Sequence, residues 1–178
     1  EVRDPRRIGA AERTAIAERV ARANMAVYAS PLGDREDRDI PLALGRQFGL
    51  ERLDPHWLAD EDGLSSIRVR EGTPRGDFIP YTSRAIGWHT DGYYNAPERR
   101  IRAFILHCVR PAAEGGATTL LDHEMAFLLL ADADPAGLHA LMQPDAMTIP
   151  ARDGERAAQS GPVFSFDAAG NLHMRYTA

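Results

Sequence analysis

A histidine and an aspartate stand two residues apart in the run Gly-Trp-His-Thr-Asp-Gly-Tyr-Tyr, at His89 and Asp91. Side chains at positions i and i+2 of a strand point to the same face of the sheet. An imidazole nitrogen and a carboxylate oxygen can then bind one metal ion, and a second histidine would complete the facial triad of non-haem Fe(II) oxygenases. The spacing predicts His89 and Asp91 as metal ligands and catalytic residues.

The His-x-Asp spacing alone is a weak signal. The chain has six histidines and, by count, 15 aspartates among its 178 residues. In a chain of this composition, roughly 0.5 His-x-Asp pairs are expected by chance. The alternative interpretation is an aspartate that caps a turn beside an ordinary structural histidine.

A second block makes the pattern more specific. After the apolar run Ile101–Val109, the chain reads Gly-Gly-Ala-Thr-Thr-Leu-Leu-Asp over residues 115–122. In this order, the two blocks resemble the taurine dioxygenase-like (TauD/TfdA-like) superfamily of Fe(II)/2-oxoglutarate-dependent oxygenases, roughly from Tyr81 to Thr177. The resemblance implies that His89 and Asp91 supply the first two iron ligands and that Thr118 contacts 2-oxoglutarate.

The resemblance also implies a later histidine as third ligand, and then an arginine for the distal carboxylate of 2-oxoglutarate. His173 is the candidate within the chain, on a strand where Arg175 shares its face. The order of the family's motifs puts the distal histidine later still. The third ligand is therefore expected beyond Ala178, with His173 as the lesser candidate.

Candidate substrate-binding residues follow the metal motif directly. Tyr93, Tyr94 and Asn95 can line a pocket, because tyrosine has an apolar body and a polar tip. Arg175 can pair with an anionic substrate or co-substrate. A loop packed by its own aromatics, and an arginine paired with an aspartate, explain these residues equally well. The arginines at 99, 100 and 102 are interpreted as a solvated basic face.

The elements that must position these residues change character along the chain. Helical periodicity predicts helices over Ala11–Ala29 and Pro41–Phe48, with a helical turn through residues 55–58. Asp122 is predicted as the N-cap of a helix that begins at His123, followed by a second helical segment through Met142. Extended segments are predicted at Ser65–Val69, Phe78–Thr82, Ile86–Thr90, Ile101–Val109 and Ala117–Leu121, with a hairpin of Val163–Phe166 and Asn171–Thr177.

These elements predict an α+β, mainly β fold. The resemblance implies a double-stranded β-helix, or jelly roll, with N-terminal helices and a helical insertion, and incomplete at its C-terminal end. We expect a single domain over residues 1–178, with a helical part at 1–62 and a truncated jelly-roll body at 63–178.

The composition of the chain argues against several classes of protein. A net charge of −5 argues against a dedicated nucleic-acid binder. The lone cysteine, Cys108, excludes an internal disulfide framework and a thiolate zinc site, which makes the reducing cytoplasm the default compartment. No apolar run approaches the ~20 residues that span a bilayer. A homodimer is the usual oligomer of a soluble chain.

The function that the resemblance implies is hydroxylation of a small organic substrate. Dioxygen and 2-oxoglutarate would be consumed, and 2-oxoglutarate would lose carbon dioxide to become succinate. Two alternatives stay open at this point. One is a jelly-roll binding protein that has lost catalysis, and the other is a cupin-like enzyme that uses another divalent metal.

Overall fold

The computed structural model describes residues 1–32, 36–54, 59–70, 72–152, 154 and 156–178. These residues form two compact units. The first unit comprises Glu1–Glu51 and Ala103–His139, and the second comprises Arg52–Arg102 and Ala140–Ala178. The organisation of residues 1–178 as one domain stays a prediction, and the predicted turn at 55–58 lies outside the described residues.

Helices dominate the first unit. Helix α1 spans Ala10–Ala23, and its first turn is closed by Glu12, whose carboxylate accepts a hydrogen bond from the backbone N–H of Gly9 at 2.6 Å. The helix ends before the predicted Ala29 because Asn24 adopts the left-handed conformation, with φ of 54°. The unit also contains α2 over Asp39–Gln47 and α3 over His123–Ala133, and α4 over Pro135–Leu141 begins in it and ends two residues past its boundary at His139.

The core of the first unit is small. Val2, Ile8 and Leu44 are buried together, and Ile105 is among the partly buried residues packed against them. Gln47, the last residue of α2, ties the N-terminal segment to this core. Its amide oxygen accepts from the Ile8 backbone N–H, and its amide nitrogen donates to a backbone carbonyl of the same segment, both at 2.9 Å.

The chain from Ala103 to the start of α3 forms neither a helix nor a paired strand. The prediction of a strand buried on both faces over Ile101–Val109 is wrong, since Phe104 and Leu106 are 56% and 53% exposed. The predicted strand at Ala117–Leu121 is likewise absent, and its residues are exposed. A strand needs a hydrogen-bonded neighbour, and no described segment pairs with either stretch.

The second unit contains two antiparallel strand pairs. Strand β1 (Met147–Ile149) pairs with β2 (Gln159–Gly161), and β3 (Phe164–Phe166) pairs with β4 (Leu172–Met174). The second pair confirms the predicted hairpin, with Ser165 opposite His173. Its turn is built on the Asp167 carboxylate, which accepts from the backbone N–H of Asn171 at 2.9 Å. The described residues thus combine helices with two-stranded antiparallel sheets.

The extended conformation predicted for Phe78–Thr82 is wrong. This stretch contains a 3₁₀ turn over Ile79–Tyr81, preceded by another over Pro74–Asp77. Each turn has a proline in its first positions, where the fixed φ and the missing N–H are tolerated. The second turn buries the Tyr81 side chain. The strand predicted at Ser65–Val69 has no ladder among the described residues either.

Asp122 caps α3 as predicted. Its carboxylate accepts from the Glu124 backbone N–H at 3.0 Å and from the Asn24 side-chain amide at 2.9 Å. One oxygen therefore joins the start of α3 to the end of α1. Among the described residues, no helix combines the length and the hydropathy of a membrane span.

Replacement of this cap tests the packing of the first unit. We expect Asp122→Ala to lower the free energy of unfolding by about 1 kcal/mol, because the first turn of α3 loses its acceptor. Asp122→Asn retains an acceptor oxygen and should lose less. Urea denaturation of the three proteins measures the difference, and an alanine variant as stable as the wild type would contradict the capping role.

Candidate metal and substrate site

A short backbone ladder holds the histidine motif. The backbone N–H of Thr90 donates to the Tyr176 carbonyl at 2.9 Å, and the N–H of Ala178 donates to the Trp88 carbonyl at 2.9 Å. These two bonds flank an antiparallel bridge between His89 and Thr177. The chain that leaves β4 therefore pairs with residues 88–90, and the predicted strand at Ile86–Thr90 is reduced to this ladder.

The imidazole of His89 has a defined orientation. Its Nδ1 lies 2.9 Å from the Gly87 carbonyl, and only a protonated Nδ1 can donate to that oxygen. In the neutral ring this leaves the Nε2 lone pair free, and Nε2 lies 3.8 Å from Oδ1 of Asp91. The two side chains are 31% and 53% exposed. They converge, as their spacing predicts, on a place that solvent can reach.

This arrangement fits a divalent metal ion. Two bonds of about 2.1 Å, the usual length to nitrogen or oxygen ligands, span up to about 4.2 Å. A ligating histidine commonly donates its other N–H to a backbone carbonyl, as His89 does to Gly87. Within the described part of the chain, no group of three His, Cys, Asp or Glu residues is close enough to hold an ion. The separation of the pair suits two ligands of a facial triad, and the role of His89 and Asp91 as ligands stays a prediction.

A tight turn follows Asp91 and sets its direction. Gly92 has a φ of 65°, which glycine adopts readily, and its carbonyl accepts from the Asn95 backbone N–H at 2.8 Å. A Cβ at this position would collide with the Ile101 side chain and lie 2.8 Å from the Asn95 amide nitrogen. The turn therefore requires glycine for both its conformation and its space.

Asn95 holds the far end of this turn through its side chain. Its amide nitrogen donates to the Arg99 carbonyl at 3.0 Å and to the Asp54 carboxylate at 3.3 Å. The Arg99 guanidinium also donates to Asp54, at 2.6 Å. Both amide hydrogens of Asn95 are used in this network, which supports the loop; its predicted contact with substrate stays a prediction.

The two tyrosines of the motif pack on each other. The rings of Tyr93 and Tyr94 are edge to face, with centroids 5.1 Å apart. Burial, together with the carboxylates of Asp54 and Asp91, raises the pKa of Tyr94 to about 12. Its phenol therefore stays protonated at neutral pH and can donate a hydrogen bond. The observed packing agrees with the alternative of an aromatic loop and leaves the substrate role a prediction.

Arg175 lies where the strand pairs and the motif meet. Its guanidinium donates to the carbonyls of Gly161 at 3.0 Å and Gln159 at 3.4 Å, and also to that of Met147. A longer contact of 3.5 Å reaches the Tyr93 carbonyl, two residues after Asp91. Burial lowers the pKa of Arg175. No described carboxylate pairs with Arg175, so the alternative of an arginine paired with an aspartate is not what the described residues show.

The remaining candidate residues lie elsewhere. His173 is in β4, and no described cluster of ligands includes it with the His89 pair. Thr118 lies in an exposed stretch of the first unit, and its contact with 2-oxoglutarate stays a prediction. His107, which is partly buried in the first unit, has its Nδ1 2.7 Å from the Tyr28 hydroxyl, and burial lowers its pKa.

Sequence reasoning missed three residues that shape the site. Thr90 uses its hydroxyl to accept from the Tyr176 backbone N–H at 3.1 Å. Asp54 holds the turn from a distant part of the chain, which no local pattern could reveal. Arg100, predicted to lie on a solvated face, instead lines a cavity, while Arg99 pairs with Asp54 and Arg102 lies 3.7 Å from Asp167.

Comparisons with known proteins point to one family. A uridine-5'-phosphate dioxygenase from Amycolatopsis sp is 40% identical over 94 residues, which cover 51% of this chain and 33% of the relative. A protein of the same name from Streptomyces sp is 33% identical over 121 residues, covering 66% and 42%. The chain thus spans less than half the length of these relatives. No solved structure matches it.

The family comparison covers most of the chain. The sequence profile described as "Taurine catabolism dioxygenase TauD, TfdA family" matches residues 30–175. This range includes the histidine–aspartate pair, the turn after it and both strand pairs, whereas residues 176–178 of the ladder lie outside it. Together with the geometry of His89 and Asp91, the match shows that the chain belongs to the TauD/TfdA dioxygenase family.

Proposed function

We propose that this chain is the metal-binding part of an Fe(II)/2-oxoglutarate-dependent dioxygenase with a jelly-roll fold. The observation that carries the proposal is the convergence of His89 Nε2 and Asp91 Oδ1, 3.8 Å apart and open to solvent, within the motif of the family. Iron with 2-oxoglutarate and dioxygen, when bound, supplies the oxidising chemistry that converts a C–H bond to C–OH as succinate and carbon dioxide form.

The chain's own residues orient the ligands for that chemistry. His89 is neutral when it ligates, with its Nδ1 proton held by the Gly87 carbonyl, and Asp91 is ionised. The ladder with residues 176–178 fixes the backbone on one side of the pair. The Gly92 turn fixes it on the other side. Both ligand positions are thus set before any metal binds, which lowers the cost of ordering them.

The substrate proposed here is a pyrimidine nucleoside 5'-phosphate. The two relatives carry the name uridine-5'-phosphate dioxygenase, with the partial coverage stated above. Residues of the chain that suit such a ligand lie beside the metal pair. Tyr93 and Tyr94 offer aromatic surface for a base or sugar, and Arg175 offers positive charge for an anion. Thr118 is proposed to contact 2-oxoglutarate.

The wider setting of the enzyme follows from composition and is likewise proposed. The reducing cytoplasm is the compartment that one free cysteine suits, and Cys108 is exposed. The acidic chain suits a small-molecule substrate rather than nucleic acid. A homodimer is the expected assembly.

Removal of either ligand tests the metal site. We expect His89→Ala and Asp91→Ala to weaken Fe(II) binding by at least about tenfold each, because a two-ligand site is reduced to one. In the complete enzyme, both substitutions should abolish succinate release from 2-oxoglutarate. Anaerobic Fe(II) titration and a succinate assay measure the two effects.

His139→Ala is the matched control, since His139 lies on α4 outside the site. It should bind iron and release succinate as the wild type does. Unchanged iron binding in both ligand variants would refute the metal site. Turnover that requires a divalent ion but no 2-oxoglutarate would favour the cupin-like alternative instead.

Thr90 tests whether the ladder positions the ligands. Thr90→Val removes the hydroxyl that accepts from the Tyr176 N–H, and one such hydrogen bond is worth about 1 kcal/mol. We expect Fe(II) affinity to fall about fivefold while the circular dichroism spectrum is unchanged. Thr90→Ser keeps the hydroxyl and should restore the affinity. A valine variant with wild-type affinity would exclude a positioning role.

A further inference from the structure

A small cavity lies beside the turn that follows the metal pair. Its volume is about 90 Å³, far below the ~300–1,000 Å³ of a pocket that holds a whole small molecule. It therefore suits one group of a larger ligand. The residues that matter to its chemistry come from the turn, the segment after it, three strands and the residue that follows β4: Gly92, Arg100, Ser160, Ser165, His173 and Arg175.

Positive charge is the main property of this cavity. Arg100 and Arg175 both line it, and none of the described residues that line it is acidic. Neither arginine has a carboxylate partner in the described part of the chain. The Arg175 guanidinium is oriented by backbone carbonyls, and its buried Nε has no hydrogen-bond partner there. Neutral carbonyls orient a guanidinium but leave its charge uncompensated, which favours an anion nearby.

Hydroxyl groups add hydrogen-bond donors from another direction. Ser165 in β3 and Ser160 in β2 line the cavity on neighbouring strand pairs. The Ser160 hydroxyl is 2.8 Å from that of Thr148, and the Ser165 hydroxyl has no partner among the described residues. Two cations and two hydroxyls surrounding one small volume suit the several oxygens of a tetrahedral dianion better than a planar carboxylate, which one arginine binds through a fork.

We propose that this cavity is the subsite for the phosphate group of the substrate. The proposal rests on the function proposed above and adds how the nucleotide is held. Gly92 lines the cavity and directly follows Asp91, so a phosphate bound there anchors the substrate next to the metal pair. Arg100 and Arg175 supply the charge, while Ser160 and Ser165 donate hydrogen bonds to the phosphate oxygens.

Binding measured without iron tests the subsite. Calorimetric titration of the metal-free full chain with uridine-5'-phosphate, uridine, inorganic phosphate and 2-oxoglutarate compares the four ligands. We expect the nucleotide to bind at least about tenfold more tightly than uridine, and inorganic phosphate to compete with it. Arg100→Gln should lower the affinity for the nucleotide about tenfold and leave the affinity for uridine unchanged. Ser165→Ala should show a smaller loss.

Arg84→Gln is the matched control, because Arg84 is exposed and does not line the cavity. Arg175 is left unchanged, since its guanidinium also holds the strand pairs together. Wild-type nucleotide affinity in Arg100→Gln, equal affinities for nucleotide and uridine, or no nucleotide binding would overturn the subsite. Two further results would overturn it. One is binding of inorganic phosphate without binding of the nucleotide, and the other is an Arg100→Gln variant that loses affinity for 2-oxoglutarate instead of for the nucleotide.

Failure of this inference is separable from failure of the proposed function. Iron titration and succinate release report on the metal pair and do not depend on Arg100. A chain that binds iron through His89 and Asp91 but shows no phosphate preference would overturn the subsite alone. A chain that prefers the nucleotide but fails to bind iron would support the subsite and refute the oxygenase.

Discussion

The pairing of residues 88–90 with residues 176–178 is the constraint on which the candidate site depends. Two backbone hydrogen bonds flank His89, and the Thr90 hydroxyl adds a third contact. Fixing the backbone of one free residue costs roughly 1–2 kcal/mol. A metal that had to order this segment by itself would lose that much affinity for each residue. Because the ladder orders this backbone when the chain folds, metal binding does not have to. The hydrogen bond to the Gly87 carbonyl then sets the tautomer of the imidazole.

The turn at Gly92 is the second half of the same constraint. A strand alone would carry Asp91 away along its own direction, but the chain reverses immediately after it. The left-handed glycine and the Asn95–Asp54–Arg99 network keep the turn closed. The aspartate is therefore held from one side by sheet pairing and from the other by a turn. This arrangement leaves Nε2 of His89 and Oδ1 of Asp91 3.8 Å apart while both side chains remain open to solvent.

Arg175 contributes to the packing of the second unit and also carries a charge that a ligand can use. Its guanidinium joins carbonyls from β1 and β2 and reaches toward Tyr93 in the motif, so it contributes to the packing of both strand pairs around the turn. Because these partners are neutral, the charge itself is still available to a ligand. The proposed phosphate subsite uses that charge. Arg175 thus both stabilises the packing around the site and offers the charge that the proposed anionic substrate would need.

Local patterns in the sequence determined a definite part of this protein. The His89–Asp91 spacing, the Asp122 cap and the hairpin that ends in β4 depend on residues close together in the chain, and each is present. The order of the two motif blocks also indicated the correct family. Only the tertiary structure decided that Tyr176 pairs with Thr90, that Asp54 closes the turn and that Arg100 lines a cavity. It also left the apolar stretch around Phe104 without a neighbour among the described residues. Strand pairing and ion pairing join residues that are distant in sequence, and periodicity along one segment carries no information about which partner that segment will meet.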